Sequence, residues 1–189
     1  MTILVACSII LCSAGNSIDS LKTRLSKLPP DTLRVATLNE LAYQLVSDDP
    51  VEAVDRANEA IALSKKLKFP KGIAEGYSQI ALAYKLLSQN DSSFHYYRLS
   101  LQEYRNAPSI DGQIKVLNNI GMLYARISVP DSAAHYLFRS LKMAESVNDM
   151  ESQSFAFANL GIIFHDQQRY DEAIEYLTKA LRIIEETGN

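Results

Sequence analysis

Tryptophan is absent, and cysteine, glycine and proline are scarce: 2, 7 and 6 in 189 residues. So little glycine and proline excludes collagen-like and low-complexity chains. Charge of one sign is also lacking, since 19 Lys and Arg against 22 Asp and Glu leave a net charge of −3. That removes the electrostatic footprint of a nucleic-acid binder. Chemistry-bearing motifs are missing too: there is no phosphate-binding Gly loop, no HExxH and no Asp-rich calcium loop. Gly72 and Gly76, a glycine pair near a helix start, have no strand before them. An enzyme reading therefore has little to stand on, and neither cofactor nor metal is expected. What is present is a chain 47% apolar, enough for one domain with a substantial core.

The segment Ile3 to Ala14 (ILVACSIILCSA) is a mostly apolar run of 12. A bilayer-spanning helix needs about 20 residues, so the run fits the apolar region of a secretion signal instead. Cys12-Ser13-Ala14 offers a small-x-small cleavage site, although no Lys or Arg precedes the run. Both cysteines, Cys7 and Cys12, lie inside it. Cleavage after Ala14 would leave no thiol, hence no disulfide framework. Leu4-Val5-Ala6-Cys7 also resembles a bacterial lipoprotein box, which would lipidate Cys7 and make the leader a membrane anchor. The expectation is a leader over residues 1–14 and an exported chain, periplasmic or membrane-anchored.

Internal repetition decides the fold class. YSQIALAY (77–84), LNNIGMLY (117–124) and FANLGIIF (157–164) align at intervals of 40. Small residues follow in step: Ser93, Ala133 and Ala173, then Ser100, Ser140 and Ala180. Asp91, Asp131 and Asp171 recur at the same interval. TLNELAYQL (37–45) begins a looser copy with Leu41, Ala42, Ala53 and Ala60, its turn one residue shorter. Four copies fill residues 31–189, at about 31–70, 71–109, 110–149 and 150–189.

Each copy reads as two helices. Leu117, Ile120, Leu123 and Tyr124 recur at helical spacing, as do Ala133, Leu137, Leu141 and Ala144. The Asp of SQND, SVPD and QRYD is expected to cap the second helix. Capping also accounts for Asp19-Ser20-Leu21, Asp31-Thr32-Leu33 and Asp131-Ser132-Ala133, which otherwise resemble bacterial O-glycosylation triplets. Helices approach to about 8 Å only through small side chains, so Gly121 and Gly161 should face Ala133 and Ala173. Tyr84, Tyr124 and Phe164 should fill the wedge between neighbouring pairs. Ile18 to Leu28 is amphipathic, ends at Pro29-Pro30, and can cover the first repeat as a capping helix within residues 15–30.

The order Ile120-Gly121, Tyr124, Ala133, Leu137, Ser140, matched by Leu160-Gly161, Phe164, Ala173, Leu177, Ala180, resembles the tetratricopeptide repeat (TPR). The period of 40 replaces the family's usual 34, and Glu145 and Glu185 stand where a Pro often ends the repeat. The resemblance implies an all-α, right-handed TPR superhelix of four helix pairs plus an N-terminal capping helix. It also implies a concave groove lined by the first helices. The opening stretch from Leu28 to Leu45 and the SDDP turn resemble exported TPR regions of bacterial histidine kinases and transcriptional regulators. On that resemblance the chain is a sensor's binding half or a stand-alone relative.

The TPR resemblance points Asn39, Glu40, Gln79, Asn118, Asn119 and Asn159 into the groove. An Asn amide carries donor and acceptor and can grip a peptide backbone unit. Tyr43, Leu82, Met122 and Ile162 form an apolar stripe beside them, with Lys85, Arg126 and His165 about a turn further on. Of the other histidines, His95 and His135 hold one place in successive second helices and Glu175 holds the third. Such points lie about 10 Å apart, too far to share a zinc whose ligands sit near 2 Å. The expected function is non-catalytic binding of a peptide or protein partner in the groove. The alternative is an assembly module. Apolar residues of the last helix, from Ala173 to Ile184, span about 180°, where a surface helix needs about 100°. Homodimerisation through that helix, or a longer parent chain, would cover them.

Overall fold

The computed structural model describes residues 18–107 and 109–188. The leader, its cleavage site and the Cys7 lipidation box lie outside the described residues. Among those described there are no strands, and no helix is long and apolar enough to cross a membrane. A short helix α1 covers residues 18–25. First helices are α2 (Thr32–Leu45), α4 (Pro70–Leu86), α6 (Ile110–Arg126) and α8 (Met150–Asp166). Second helices are α3 (Pro50–Leu67), α5 (Asn90–Asn106), α7 (Pro130–Ser146) and α9 (Tyr170–Thr187). The chain divides at 107/108 into two compact units, α1–α5 and α6–α9.

Local chemistry sets the helix ends. Pro50, Pro70 and Pro130 open their helices, where the missing N–H costs nothing. Asp31 caps α2 by accepting from the Arg34 N–H at 3.0 Å, and Asp149 caps α8 through Ser152 N–H at 3.0 Å. The expected caps at Asp91, Asp131 and Asp171 are corrected. Their helices start one residue earlier, at Asn90, Pro130 and Tyr170, and make no side-chain cap bond. Each Asp instead lies in the first turn, where its charge meets the positive end of the helix dipole.

The turns inside the last three pairs share one device. Ser88, Ser128 and Gln168 adopt left-handed φ of 59°, 59° and 61°. The next N–H then reaches back to the Tyr84, Tyr124 or Phe164 carbonyl at 2.9, 3.0 and 2.9 Å, which satisfies an orphan helix-end acceptor. The shorter α2–α3 turn closes without a left-handed residue.

In the first unit, Val35, Leu38, Leu41 and Leu45 of α2 are buried with Ala53 and Ala60 of α3. Leu25 of α1 joins this cluster, and Ile18 and Leu21 pack against it, so α1 caps the first repeat. Arg34 ties it down: Nη1 donates to the Leu25 and Leu28 carbonyls at 2.6 and 3.2 Å, and Nη2 to Glu59 at 3.2 Å. Hydrogen bonds from a charged donor contribute about 1.5–3 kcal/mol. Arg34→Ala should therefore free α1, raising amide exchange over residues 18–28 by tenfold or more while α6–α9 stay protected. Unchanged exchange there would show that apolar contact alone holds the cap.

In the second unit the core joins Ala133, Leu137 and Leu141 of α7 to Ala156, Leu160, Ile163 and Phe164 of α8 and Ala173 of α9. Burying each such large side chain is worth about 1.5–3 kcal/mol. The close crossing falls where the small residues predict. A Cβ on Gly121 would lie 2.8 Å from Leu137 Cγ and 3.1 Å from the Ala133 carbonyl oxygen. One on Gly161 would lie 2.7 Å from Leu177 Cγ.

The aromatic rings lie between neighbouring pairs: Tyr84 packs against a cluster with Ala42, Ala57 and Ile61 of the first pair, and Phe164 clusters with Leu137 and Leu141 of α7. Tyr84, Tyr124 and Phe164 stack on Tyr96, Tyr136 and Tyr176 of their own pair, with ring centroids 5.5, 5.4 and 5.3 Å apart. Those partners also recur at intervals of 40. Burial, and then the neighbouring Tyr84 and Tyr77 hydroxyls, push the Tyr96 pKa upward.

The small serines do more than save space. Ser100 donates to the Ala74 carbonyl at 2.8 Å and Ser140 to Ile114 at 2.9 Å, each 26 residues back. In the last pair the serine changes helix: Ser154 donates to the Ala180 carbonyl at 3.4 Å. One interhelical bond is thus kept while its donor moves from the second helix to the first.

Candidate functional site

In each unit the two first helices touch: α2 meets α4, and α6 meets α8. Each first helix also buries one side against its second helices, so one strip of side chains is left open. On α8 that strip runs Glu151, Phe155, Ile162 and His165, all exposed. On α6 it runs Asp111, Lys115 and Arg126, with Met122 half-buried.

The predicted polar ladder is not uniform. In the first unit Asn39 is only 5% exposed. Its Nδ2 donates to the Gly72 carbonyl at 3.2 Å and to Glu75 at 3.3 Å. This amide therefore joins α2 to α4 within the protein. Its Oδ1 and the Oε1 of half-buried Gln79 are buried without a partner among the described residues. Glu40 is exposed and accepts from Gln44 at 2.9 Å. Tyr43 is exposed, while Leu82 and Lys85 are half-buried.

In the second unit Asn159 Nδ2 donates to Asn118 Oδ1 at 3.2 Å. That bond joins α6 to α8 much as Asn39 joins α2 to α4. It leaves Asn159 its own Oδ1 and Asn118 its Nδ2. Asn119 is half-buried beside them. Ile162 is 50% exposed. His165 is exposed, its Nδ1 3.4 Å from Asp166 and its ring edge-on to Tyr170 at 5.7 Å.

Two residues absent from the sequence-based set belong to this surface. Phe155 is 57% exposed and, with Lys115, lines a recess of about 280 Å³ that includes Asn118. Their signal was positional: 115 and 155 share a repeat position three residues before Asn118 and Ala158, hence nearly the same helix face.

Among the described residues no cluster of three or more His, Cys, Asp or Glu could hold a metal ion. His95 and His135 are exposed and lie edge-on to Tyr96 and Tyr136, with centroids 5.3 and 5.4 Å apart.

A family model described as "Tetratricopeptide repeat" matches residues 154–186, the α8–α9 pair. That pair is a tetratricopeptide repeat. Solved structures agree on its fold. Aspartyl phosphate phosphatase F from Bacillus subtilis superposes with a TM-score of 0.82 at 16% identity, covering 94% of this chain and 50% of that one. The chain thus spans half the length of that structure. BtubC from P. vanneervenii gives 0.69 at 21% identity, covering 92% and 72%. MamA gives 0.61 at 17% identity, covering 90% and 88%. No curated protein matches the chain by sequence. At these identities the likeness establishes a TPR-type α-solenoid fold, all-α and built of helix pairs.

Proposed function

We propose that this TPR chain is a non-catalytic binding scaffold whose second unit holds an extended peptide segment across the open strip of α6 and α8. One observation carries the reading: Phe155 and Ile162 lie more than half and half exposed on α8 beside the Asn118–Asn159 amide bridge. An apolar pair next to unspent amide groups offers both contacts a peptide needs. Side chains find an apolar seat, and backbone units find a donor and an acceptor. Asn39, buried and bonded to Gly72, is not part of the proposed surface.

The test uses a peptide selected on this protein from a random library. Asn119→Ala should weaken it by about 2- to 12-fold, the loss of one neutral hydrogen bond of about 0.5–1.5 kcal/mol. The loss should be alike for many peptides, because backbone contacts do not read sequence. Met122→Lys and Phe155→Ala should change which peptides are selected. Unchanged affinity and selection in all three variants would place the ligand elsewhere. The exported localisation and the sensory role implied by the likeness to bacterial sensor regions belong to this proposal; a cell-fractionation assay of the full chain tests them.

The open apolar face of α9 favours a second reading, in which the chain is an assembly module and the partner is its own copy.

A further inference from the structure

Tyr170, Ile174, Leu177, Leu181 and Ile184 of α9 are 55%, 64%, 43%, 54% and 41% exposed. They form one stripe, since their spacing of 4, 3, 4 and 3 is the seam of a coiled coil. Three of these five places are buried one repeat earlier. Leu137, Leu141 and Ala144 of α7 correspond to Leu177, Leu181 and Ile184, and they are 0%, 7% and 0% exposed. Leu137 and Leu141 share a cluster with Ala156 and Leu160 of α8. On α7, then, this stripe is an interface made for an antiparallel helix, and the helix that follows fills it. On α9 the stripe is larger, with Ile184 in place of Ala144. Among the described residues α9 packs on α8, and its Tyr176 meets Phe138 of α7 edge-on at 5.9 Å.

The stripe is also nearly its own mirror along the helix. Tyr170 and Ile184 lie seven residues either side of Leu177, while Ile174 and Leu181 lie three and four away. Reversal therefore lays the stripe on itself within one residue, about 1.5 Å of helix rise. A two-fold interface demands this self-complementarity, because each residue must meet the partner copy of its counterpart. The uncharged Thr178 is next to the centre, so no like charges collide at the axis.

We infer that two chains pair α9 against α9, antiparallel, about a two-fold axis at Leu177, with Tyr170 opposite the second copy's Ile184 and Ile174 opposite its Leu181. This rests on the assembly reading and gives it an orientation.

Sedimentation velocity on the full chain should show a dimer at micromolar concentration. Leu181→Glu and, separately, Ile174→Glu should weaken the dimer at least 100-fold. Both positions are exposed in the single chain, so circular dichroism should show its helix content kept. Orientation is read in a Cys7→Ser, Cys12→Ser background with a short bismaleimide. A mixture of Tyr170→Cys and Ile184→Cys chains should cross-link to each other, and neither variant to itself. A monomeric wild-type chain overturns both the pairing and the assembly reading. A dimer indifferent to Leu181→Glu and Ile174→Glu overturns the α9 interface. Self-cross-linking of Tyr170→Cys shows parallel helices and overturns the proposed orientation while self-association stands.

Discussion

Gly121→Leu is expected to destabilise the α6–α9 unit by about 3 kcal/mol, at the upper end of the usual overpacking range of about 1–3 kcal/mol. A leucine gains up to about 1 kcal/mol of helix propensity over glycine, but it enters a space already taken. Even its first carbon would come 2.8 Å from Leu137 Cγ and 3.1 Å from the Ala133 carbonyl oxygen. The leucine can rotate away, whereas the carbonyl belongs to the α7 backbone and moves only with the helix. α6 and α7 must then separate. That loosens Leu141 and Ala144, on which α8 packs, so the loss spreads along the repeat. Thermal unfolding followed by circular dichroism, with amide exchange in α6, α7 and α8, checks this. An unchanged melting temperature would mean that α6 does not cross α7 at Gly121.

Leu137→Ala acts on the same crossing from the other side and should cost about 2–5 kcal/mol, since it removes a fully buried leucine and leaves a cavity. For a chain of this size that lowers the melting temperature by roughly 2–4 °C per kcal/mol. The repeats fill this crossing differently. Gly121 pairs with Leu137, and Gly161 with Leu177. In the first pair the equivalent Ala42 and Ala57 lie in one buried cluster. In the second pair the same positions hold Ala81 and Tyr97, both fully buried, so each pair fills the crossing in its own way. Gly121→Ala alone should destabilise, because its methyl meets Leu137. In the Leu137→Ala background it should recover about 1 kcal/mol, a non-additivity typical of touching residues. Denaturant titration of the four proteins measures the coupling. Strict additivity would show that the two sites do not share one space.

The period, the pairing of helices, the inward faces and the glycine crossings were legible in the residues, because each depends on local periodicity. A helix turns about 100° per residue whatever surrounds it, so Leu117, Ile120 and Leu123 had to share a face, and that face had to be covered. The candidate strip was legible only in outline. Asn39 and Asn119 follow similar rules in the sequence, yet one is buried against the Gly72 carbonyl and the other is half open. Which it is depends on where the next first helix lies, a distance no local pattern contains. The same holds for Tyr84, Tyr124 and Phe164, whose stacking partners Tyr96, Tyr136 and Tyr176 are set by the crossing of two helices. Phe155 could be placed on the open strip only once α6 and α8 stood side by side. Ile174, Leu181 and their neighbours on α9 carried the clearest apolar pattern of all. That pattern alone says they need cover. Within the described fold the packing of α9 leaves them half open, because α8 covers Ala173, Ala180 and Ile183 on the adjoining face and reaches the stripe at Leu177.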